Sequence, residues 1–259
     1  MALELVTIPC LQDNYAYLLH DPTTRQTAVV DVPEVAPILK ELVRREWLLT
    51  SIFLTHHHDD HIQGVDELRT TTGARVWGAD ADRHRLPRLD WSLWEGDEVQ
   101  VGRARGSVID VPGHTRGHIA YYGHGALFCG DTLFGCGCGR LFEGTAEQMW
   151  TSLCKLAALP ADTLVYCAHE YTQSNVRFAA AVEPGNAALL ARAGRVAQLR
   201  ADRQSTVPFT LAEERQTNPF LRSGEAEVTA AAERHCGARL AGAAEVFAVL
   251  REWKNDFRQ

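Results

Sequence analysis

The chain has 259 residues, 46% of them apolar and 23% charged, with a formal net charge of −7 and a pI near 5.9. That is enough to bury a substantial core, and the acidic balance argues against nucleic-acid binding, which leans on clustered Lys and Arg. No apolar run reaches the ~18 residues needed to span a bilayer, the opening MALELVTIPC lacks the basic and apolar regions of a signal peptide, and seven scattered cysteines read as reduced thiols of a cytoplasmic protein.

In chain order, short apolar runs predict strands at Leu3–Ile8, Ala16–Leu19, Thr27–Val32, Leu49–Leu54, Arg75–Trp77, Ser107–Val111, Ile119–Tyr122, Ala126–Cys129 and Leu164–Cys167. Between them, Val35–Glu46 has apolar residues at helical spacing, and His61–Thr72 predicts a helix stopped by Gly73. Thr145 with Gln148 forms a capping-box pattern opening a helix toward Leu159, and Pro160 ends it. Beyond about Tyr171 the β-branched runs vanish and Ala, Arg, Glu and Leu dominate. AALLARAGRVAQLRADRQ, TLAEERQTN, EAEVTAAAERHC and GAAEVFAVLREWKNDF predict helices, with Thr210 and Glu213 as a second capping box. The expected organisation is a layered α/β or α+β domain over residues 1–171 and an all-helical domain over 172–259.

The chemistry concentrates in LTHHHDDHIQG, residues 54–64, directly after a predicted strand. Alternate side chains of an extended segment share a face, so His56 and His58 can address one metal while His57 points away. The turn into a helix then carries Asp60 and His61 to a neighbouring position. One loop thus offers two half-sites of imidazole and carboxylate, a donor set suited to zinc and equally open to iron or manganese. Such a loop needs further ligands from other strand ends. His114 in VPGHTRGH, Asp131 in LFCGDTLF and His169 in LVYCAHEYT each follow an apolar strand and precede a turn. Any one of them alone reads equally well as a core histidine or a capping aspartate; together they reinforce the first loop. Cys136 and Cys138 in GCGCG read instead as small buried residues of a glycine-rich turn.

The residues Thr55-His56-His57-His58-Asp59-Asp60-His61 resemble the T-H-x-H-x-D-H signature of the metallo-β-lactamase superfamily, and His114, Asp131 and His169 resemble its later stations. The resemblance implies an α+β fold, an αββα sandwich, with two divalent metal ions, zinc by default. It assigns His56, His58 and His114 to one ion, Asp60, His61 and His169 to the other, and Asp131 to a bridge between them. Within that superfamily the chain is similar to glyoxalase II, the hydroxyacylglutathione hydrolases, through IPCLQDNYAYLL, GDTLFGCGCGRLFEGT, HEYT, NPFLR and LREWKNDF.

That family hydrolyses S-(2-hydroxyacyl)glutathione thioesters such as S-D-lactoylglutathione to glutathione and a 2-hydroxy acid, with a hydroxide shared by the two ions as nucleophile. Asp60 and Asp131 would then act at the reacting centre, with Asp59 orienting a histidine. Arg251 and Lys254, one helical turn apart, would hold the glutathione carboxylates, with Arg140, Phe142 and Tyr171 as further substrate contacts. Phe142 stands where some members have tyrosine; Arg116 has no assigned role. The chain is taken as a monomer whose partner is a small glutathione thioester, with neither nucleic acid nor membrane. Three rivals stay open at this stage: a one-iron persulfide dioxygenase, a nuclease of the same superfamily, and a metal-binding sensor without turnover.

Overall fold

In the computed structural model, which describes residues 3–258, the chain divides into two packed units. The first takes in the chain up to Asp110 together with Arg116–Gly130. The second takes in Val111–Thr115 and the chain from Asp131 onward.

The first unit runs β1 (Glu4–Cys10), β2 (Asn14–Asp21), β3 (Gln26–Val30), α1 (Val35–Arg45), β4 (Leu48–Phe53), α2 (Asp59–Ile62), α3 (Val65–Thr72), β5 (Arg75–Ala79), β6 (Trp91–Leu93), β7 (Glu98–Val101), β8 (Ala104–Asp110), β9 (Ile119–Gly123) and β10 (Ala126–Gly130). Strands β1 to β6 form a sheet in sequence order, antiparallel through β3 and parallel from β3 to β6. Strands β7 to β10 form an antiparallel meander.

Every residue of β2 is buried, which means both faces of its sheet are covered. On one face Leu18, Val29, Ile52 and Val76 share a core with Ile38 and Leu42 of α1 and Leu68 of α3. On the other, Tyr17 meets Phe128 at 5.6 Å and Phe53 meets Tyr121 at 5.4 Å between ring centroids, joining the two sheets. The Tyr121 hydroxyl donates to the Leu54 carbonyl at 2.7 Å, so its polar end is satisfied where it is buried. Burying each such side chain contributes about 1.5–3 kcal/mol. The layering follows from period-2 strands with apolar residues on both faces, flanked by helices with one apolar stripe.

The strands expected in this unit are present, and the departures have local causes. The run Thr27–Val32 stops pairing at Val30 because Asp31 takes a left-handed backbone conformation, φ 57°. The expected helix His61–Thr72 is two helices. Gly64 separates them, with its amide donating to the Val32 carbonyl at 3.1 Å, while the Val32 amide donates to the His61 carbonyl at 2.7 Å. A Cβ at Gly64 would lie 2.8 Å from methyls of both Val32 and Val35, so the break is built on close approach. Gly73 ends α3 at φ 74°, as expected. Strands β6 and β7 are three and four residues long and were not anticipated.

The second unit runs β11 (Leu133–Phe134), β12 (Gly137–Cys138), α4 (Ala146–Ala157), β13 (Leu164–Cys167), α5 (Thr172–Val182), α6 (Ala187–Ala201), β14 (Phe209–Thr210), α7 (Leu211–Thr217), α8 (Ala226–Cys236) and α9 (Ala243–Asp256). Thr145 and Gln148 form the reciprocal capping box at the start of α4. Thr210 accepts the Glu213 amide at 3.2 Å, but the Glu213 carboxylate turns to Arg192 and Arg195 instead of completing a box. Helix α5 was not foreseen: its first turn, Thr-Gln-Ser-Asn, has no apolar periodicity, yet Thr172 and Asn175 are buried. Phe178, Phe220 and Phe247, all fully buried, form the aromatic core joining α5 and α9. The segment 131–171 packs with these helices, so packing divides the chain earlier than the change in texture near residue 171. No helix among the described residues is long and apolar enough to cross a membrane.

Candidate metal centre and substrate cleft

In the first unit, β4 delivers the chain to Thr55–His58, and the two aspartates that follow occupy the first turn of α2, where the helix dipole favours negative charge. His56 Nε2 and His58 Nδ1 lie 3.1 Å apart. Two nitrogens bound tetrahedrally at ~2.0–2.1 Å from one zinc would sit about 3.3 Å apart, so this spacing fits one coordination sphere. The ligand atoms of His56 and His61, and those of Asp60 and His61, also lie within 4.8 Å of one another.

The hydrogen bonds behind these rings fix which nitrogen each presents. Asp31, buried at the end of β3, accepts from Thr55 N at 2.8 Å, from Thr55 Oγ1 at 2.7 Å and from His61 Nδ1 at 2.8 Å. Thr55 Oγ1 in turn accepts from His56 Nδ1 at 3.0 Å. Both rings therefore carry their proton on Nδ1 and present the Nε2 lone pair as the donor a metal would take, the arrangement by which carboxylates orient metal-binding histidines. His118 stacks on His56, 4.5 Å between centroids. Asn14 Nδ2 donates to Asp60 Oδ2 at 3.0 Å and to its carbonyl at 3.1 Å, holding that carboxylate beside His61. His57 turns away, as alternation requires, and bonds the buried Asp82 at 3.0 Å.

The orienting role expected of Asp59 falls to Asp31, since Asp59 is exposed on the outer side of α2's first turn. Asp31 and Asn14 were missed, and Thr55 was noted only as part of the signature, without its role behind His56. Asp31 closes the apolar run TAVVD, the same strand-then-ligand pattern that picks out Asp131, and that pattern was the available signal.

In the second unit, Asp131 lies between two imidazoles, one oxygen for each. Oδ2 is 3.3 Å from His114 Nε2, and Oδ1 is 3.3 Å from His169 Nε2. That is the disposition of a bridging carboxylate. His114 Nδ1 donates to the Arg140 carbonyl at 2.9 Å, which again makes Nε2 the donor that a metal would take. His169 is stacked face to face with Tyr171 at 4.7 Å, and the edge of Phe142 meets His114 at 5.2 Å.

His114 and Asp131 line a cleft of about 560 Å³ together with Arg140, Phe142, Tyr171, Arg251 and Lys254, so every substrate residue expected from the sequence borders one cavity. Arg251 is 4% exposed; it donates to the Cys138 carbonyl at 2.8 Å and to Asn255 at 3.1 Å, and its Nε has no partner among the described residues. Lys254 donates to the Ser174 carbonyl at 3.3 Å and lies over the rings of Phe178 and Phe257. Burial, reinforced by the charges of Arg251 and Arg140, pulls the Lys254 ammonium down to about 8. None of these three cations is paired with a carboxylate among the described residues, so their charge can serve an anionic ligand. Cys136 and Cys138 are buried free thiols of the β11–β12 turn, and burial pushes Cys136 up to about 12, the behaviour of packing residues.

Residues 16–169 match the family model for the metallo-beta-lactamase superfamily, and residues 170–257 match that for the hydroxyacylglutathione hydrolase C-terminus. The chain is 56% identical over 259 residues to a hydroxyacylglutathione hydrolase of Cereibacter sphaeroides, covering 99% of this chain and 100% of that one. It is 52% identical over 258 residues to a hydroxyacylglutathione hydrolase of Methylococcus capsulatus, covering 99% of each. Its structure is similar to the crystal structure of ETHE1 from Myxococcus xanthus, with a TM-score of 0.69 and 27% identity, covering 100% of this chain and 93% of that one.

Proposed function

The chain belongs to the hydroxyacylglutathione hydrolase family, an αββα metallo-β-lactamase fold with a C-terminal helical domain, and from this we propose that it hydrolyses S-(2-hydroxyacyl)glutathione through a binuclear metal centre. Its superfamily and its histidine and aspartate donors make it a divalent-metal protein. In the proposed assignment His56, His58 and His114 hold one ion, Asp60, His61 and His169 the other, and Asp131 bridges them. Zinc is the proposed metal because the donors are mostly neutral imidazole nitrogen. When bound, the ions supply a hydroxide at neutral pH and polarise the thioester carbonyl.

The protein's own contribution is orientation. Asp31 and the Arg140 carbonyl keep the imidazole protons on Nδ1, and Asn14 fixes the Asp60 carboxylate. Arg251 and Lys254 draw in the two glutathione carboxylates, with Arg140 adding charge and Tyr171 and Phe142 as further substrate contacts. The leaving group is a thiolate, whose parent thiol has a pKa of about 8.5, so the leaving sulfur needs no dedicated general acid.

We assign residues 1–171 to catalysis and 172–259 to glutathione binding, and S-D-lactoylglutathione as the substrate, yielding D-lactate. A monomer in the cytoplasm fits the reduced cysteines. The observation that carries the reading is the cleft shared by His114 and Asp131 with three cations that lack carboxylate partners. Against a one-iron oxygenase or a nuclease, the match over residues 170–257 favours the thioesterase. The test is loss of thioester absorbance from S-D-lactoylglutathione on adding metal-loaded protein. Turnover abolished by a chelator supports the reading; no turnover by a sample shown to contain metal overturns it.

A further inference from the structure

Two motifs have no role in the chemistry above: GCGCG, residues 135–139, and NPFLR, residues 218–222. They meet in the second unit. The glycine-rich loop runs from Asp131 to Arg140, between a proposed bridging ligand and a cation of the cleft. Its path leaves no room for side chains. A Cβ at Gly135 would collide with Thr172, at Gly137 with Asn175, and at Gly139 with the Asp131 carbonyl. Between these glycines Cys136 adopts φ 52°, a conformation an ordinary residue keeps only where its surroundings hold it.

What holds it is a buried carboxylate. The Cys136 amide donates to Glu214 Oε2 at 3.0 Å, and Glu214 is fully buried and paired with Arg192 at 2.5 Å. The fully buried Asn218 uses its Nδ2 group three ways, toward Glu214 at 2.7 Å, the Gly137 carbonyl at 3.0 Å and the Phe134 carbonyl at 3.3 Å. Asn175, which lines the cleft, donates to the Gly135 carbonyl at 3.1 Å. The Cys138 carbonyl of the same loop receives Arg251 Nη1 at 2.8 Å.

We propose that Glu214 and Asn218 are positioning residues for the glutathionyl half of the substrate: they set the 135–139 loop, and the loop's Cys138 carbonyl sets the Arg251 guanidinium in the cleft. Neither residue touches substrate. Their action is on where one cation stands, so it falls on affinity for the glutathione moiety and not on the thioester chemistry. The inference rests on the assignment of Arg251 to glutathione binding given above.

The test compares two thioesters. S-D-lactoylglutathione carries the glutathione carboxylates; S-lactoyl-N-acetylcysteamine has the same reacting bond without them. Asn218→Ala should raise KM for the first about tenfold, the size of one well-placed hydrogen bond to a charge, with kcat close to wild type. The dissociation constant of the non-hydrolysable S-hexylglutathione should rise by the same factor, and turnover of the second thioester should be unchanged. Removing Glu214 alone strands the buried Arg192 charge and endangers folding. The second variant is therefore Arg192→Met with Glu214→Gln, which removes both charges together and should show the same pattern. Equal losses on both thioesters, or S-hexylglutathione binding equal to wild type, would overturn the inference. A wild type that binds S-hexylglutathione yet hydrolyses neither thioester would instead count against the reaction assigned above.

Discussion

Asp31 Oδ2 accepts a hydrogen bond from His61 Nδ1 at 2.8 Å, and both residues are buried. The same oxygen accepts the Thr55 hydroxyl, which backs His56. A single carboxylate at the end of β3 thus fixes the proton positions of two proposed ligands, one for each ion.

Replacing that carboxylate should therefore weaken metal binding without touching a ligand. Asp31→Ala is expected to lower metal affinity about 10- to 100-fold, the usual cost of losing a group that orients a ligating histidine. Competition with a chromophoric chelator measures it. An affinity equal to wild type would show that the histidines keep their tautomers by other means.

How far the sequence discloses such a site depends on the range of each interaction. The seven proposed ligands were readable because each follows an apolar strand, a local signal. The three cations of the cleft were readable only through resemblance, since an exposed-looking Arg or Lys on a helix carries no local sign of burial. Asp31 follows an apolar strand as Asp131 does, but its partners lie many residues away, and nothing beside Asn14 in the chain reveals a role for that residue. Asp59 looked better placed because it is adjacent to the ligands, yet the first turn of α2 points it to solvent. The break at Gly64 was hidden for the same reason: it is imposed by Val32 and Val35, which belong to another element. In the fold, long apolar strands were legible; β7 alternates cleanly as EVQV but is only four residues long, and β6 and α5 draw their stability from packing rather than from their own pattern.

The break at Gly64 gives a test of packing. Its backbone, φ −92°, suits any residue, so Gly64→Ala isolates the steric effect. The added methyl would press on Val32 and Val35 and destabilise the unit by about 1–3 kcal/mol, read as a shift in the denaturant midpoint. Because His61 bonds Val32 through its carbonyl, metal affinity should fall as well. A variant as stable as wild type would mean the loop yields freely.

With Lys254 in its proposed role, substrate binding should depend on pH. Burial and the neighbouring Arg251 and Arg140 lower its pKa from the ordinary 10.5 to about 8. Its charge is present below that value and is lost as pH rises through it. KM for S-D-lactoylglutathione should therefore climb above about pH 8, where a solvated lysine would still be charged. In Lys254→Arg the climb should disappear. A KM that is flat in the wild type across the same range would remove Lys254 from the substrate site.

Removing the cationic pair altogether, by Arg251→Ala with Lys254→Ala, should raise KM far more than it lowers kcat, because in the proposed assignment the pair binds a part of the substrate remote from the reacting bond. Each lost charge-assisted contact is worth about 1.5–3 kcal/mol, so a combined increase of 100-fold or more is expected. Steady-state kinetics on S-D-lactoylglutathione decides the matter, and a KM within about twofold of wild type would contradict the assignment.

The central claim is that the proposed histidine and aspartate ligands hold a pair of metal ions. Metal content per chain after exhaustive dialysis, measured by elemental analysis, tests it most directly. The wild type should retain a pair of ions, and either His58→Ala in the first unit or His169→Ala in the second should lose metal and thioesterase activity together. Full metal retention in both variants would contradict the account.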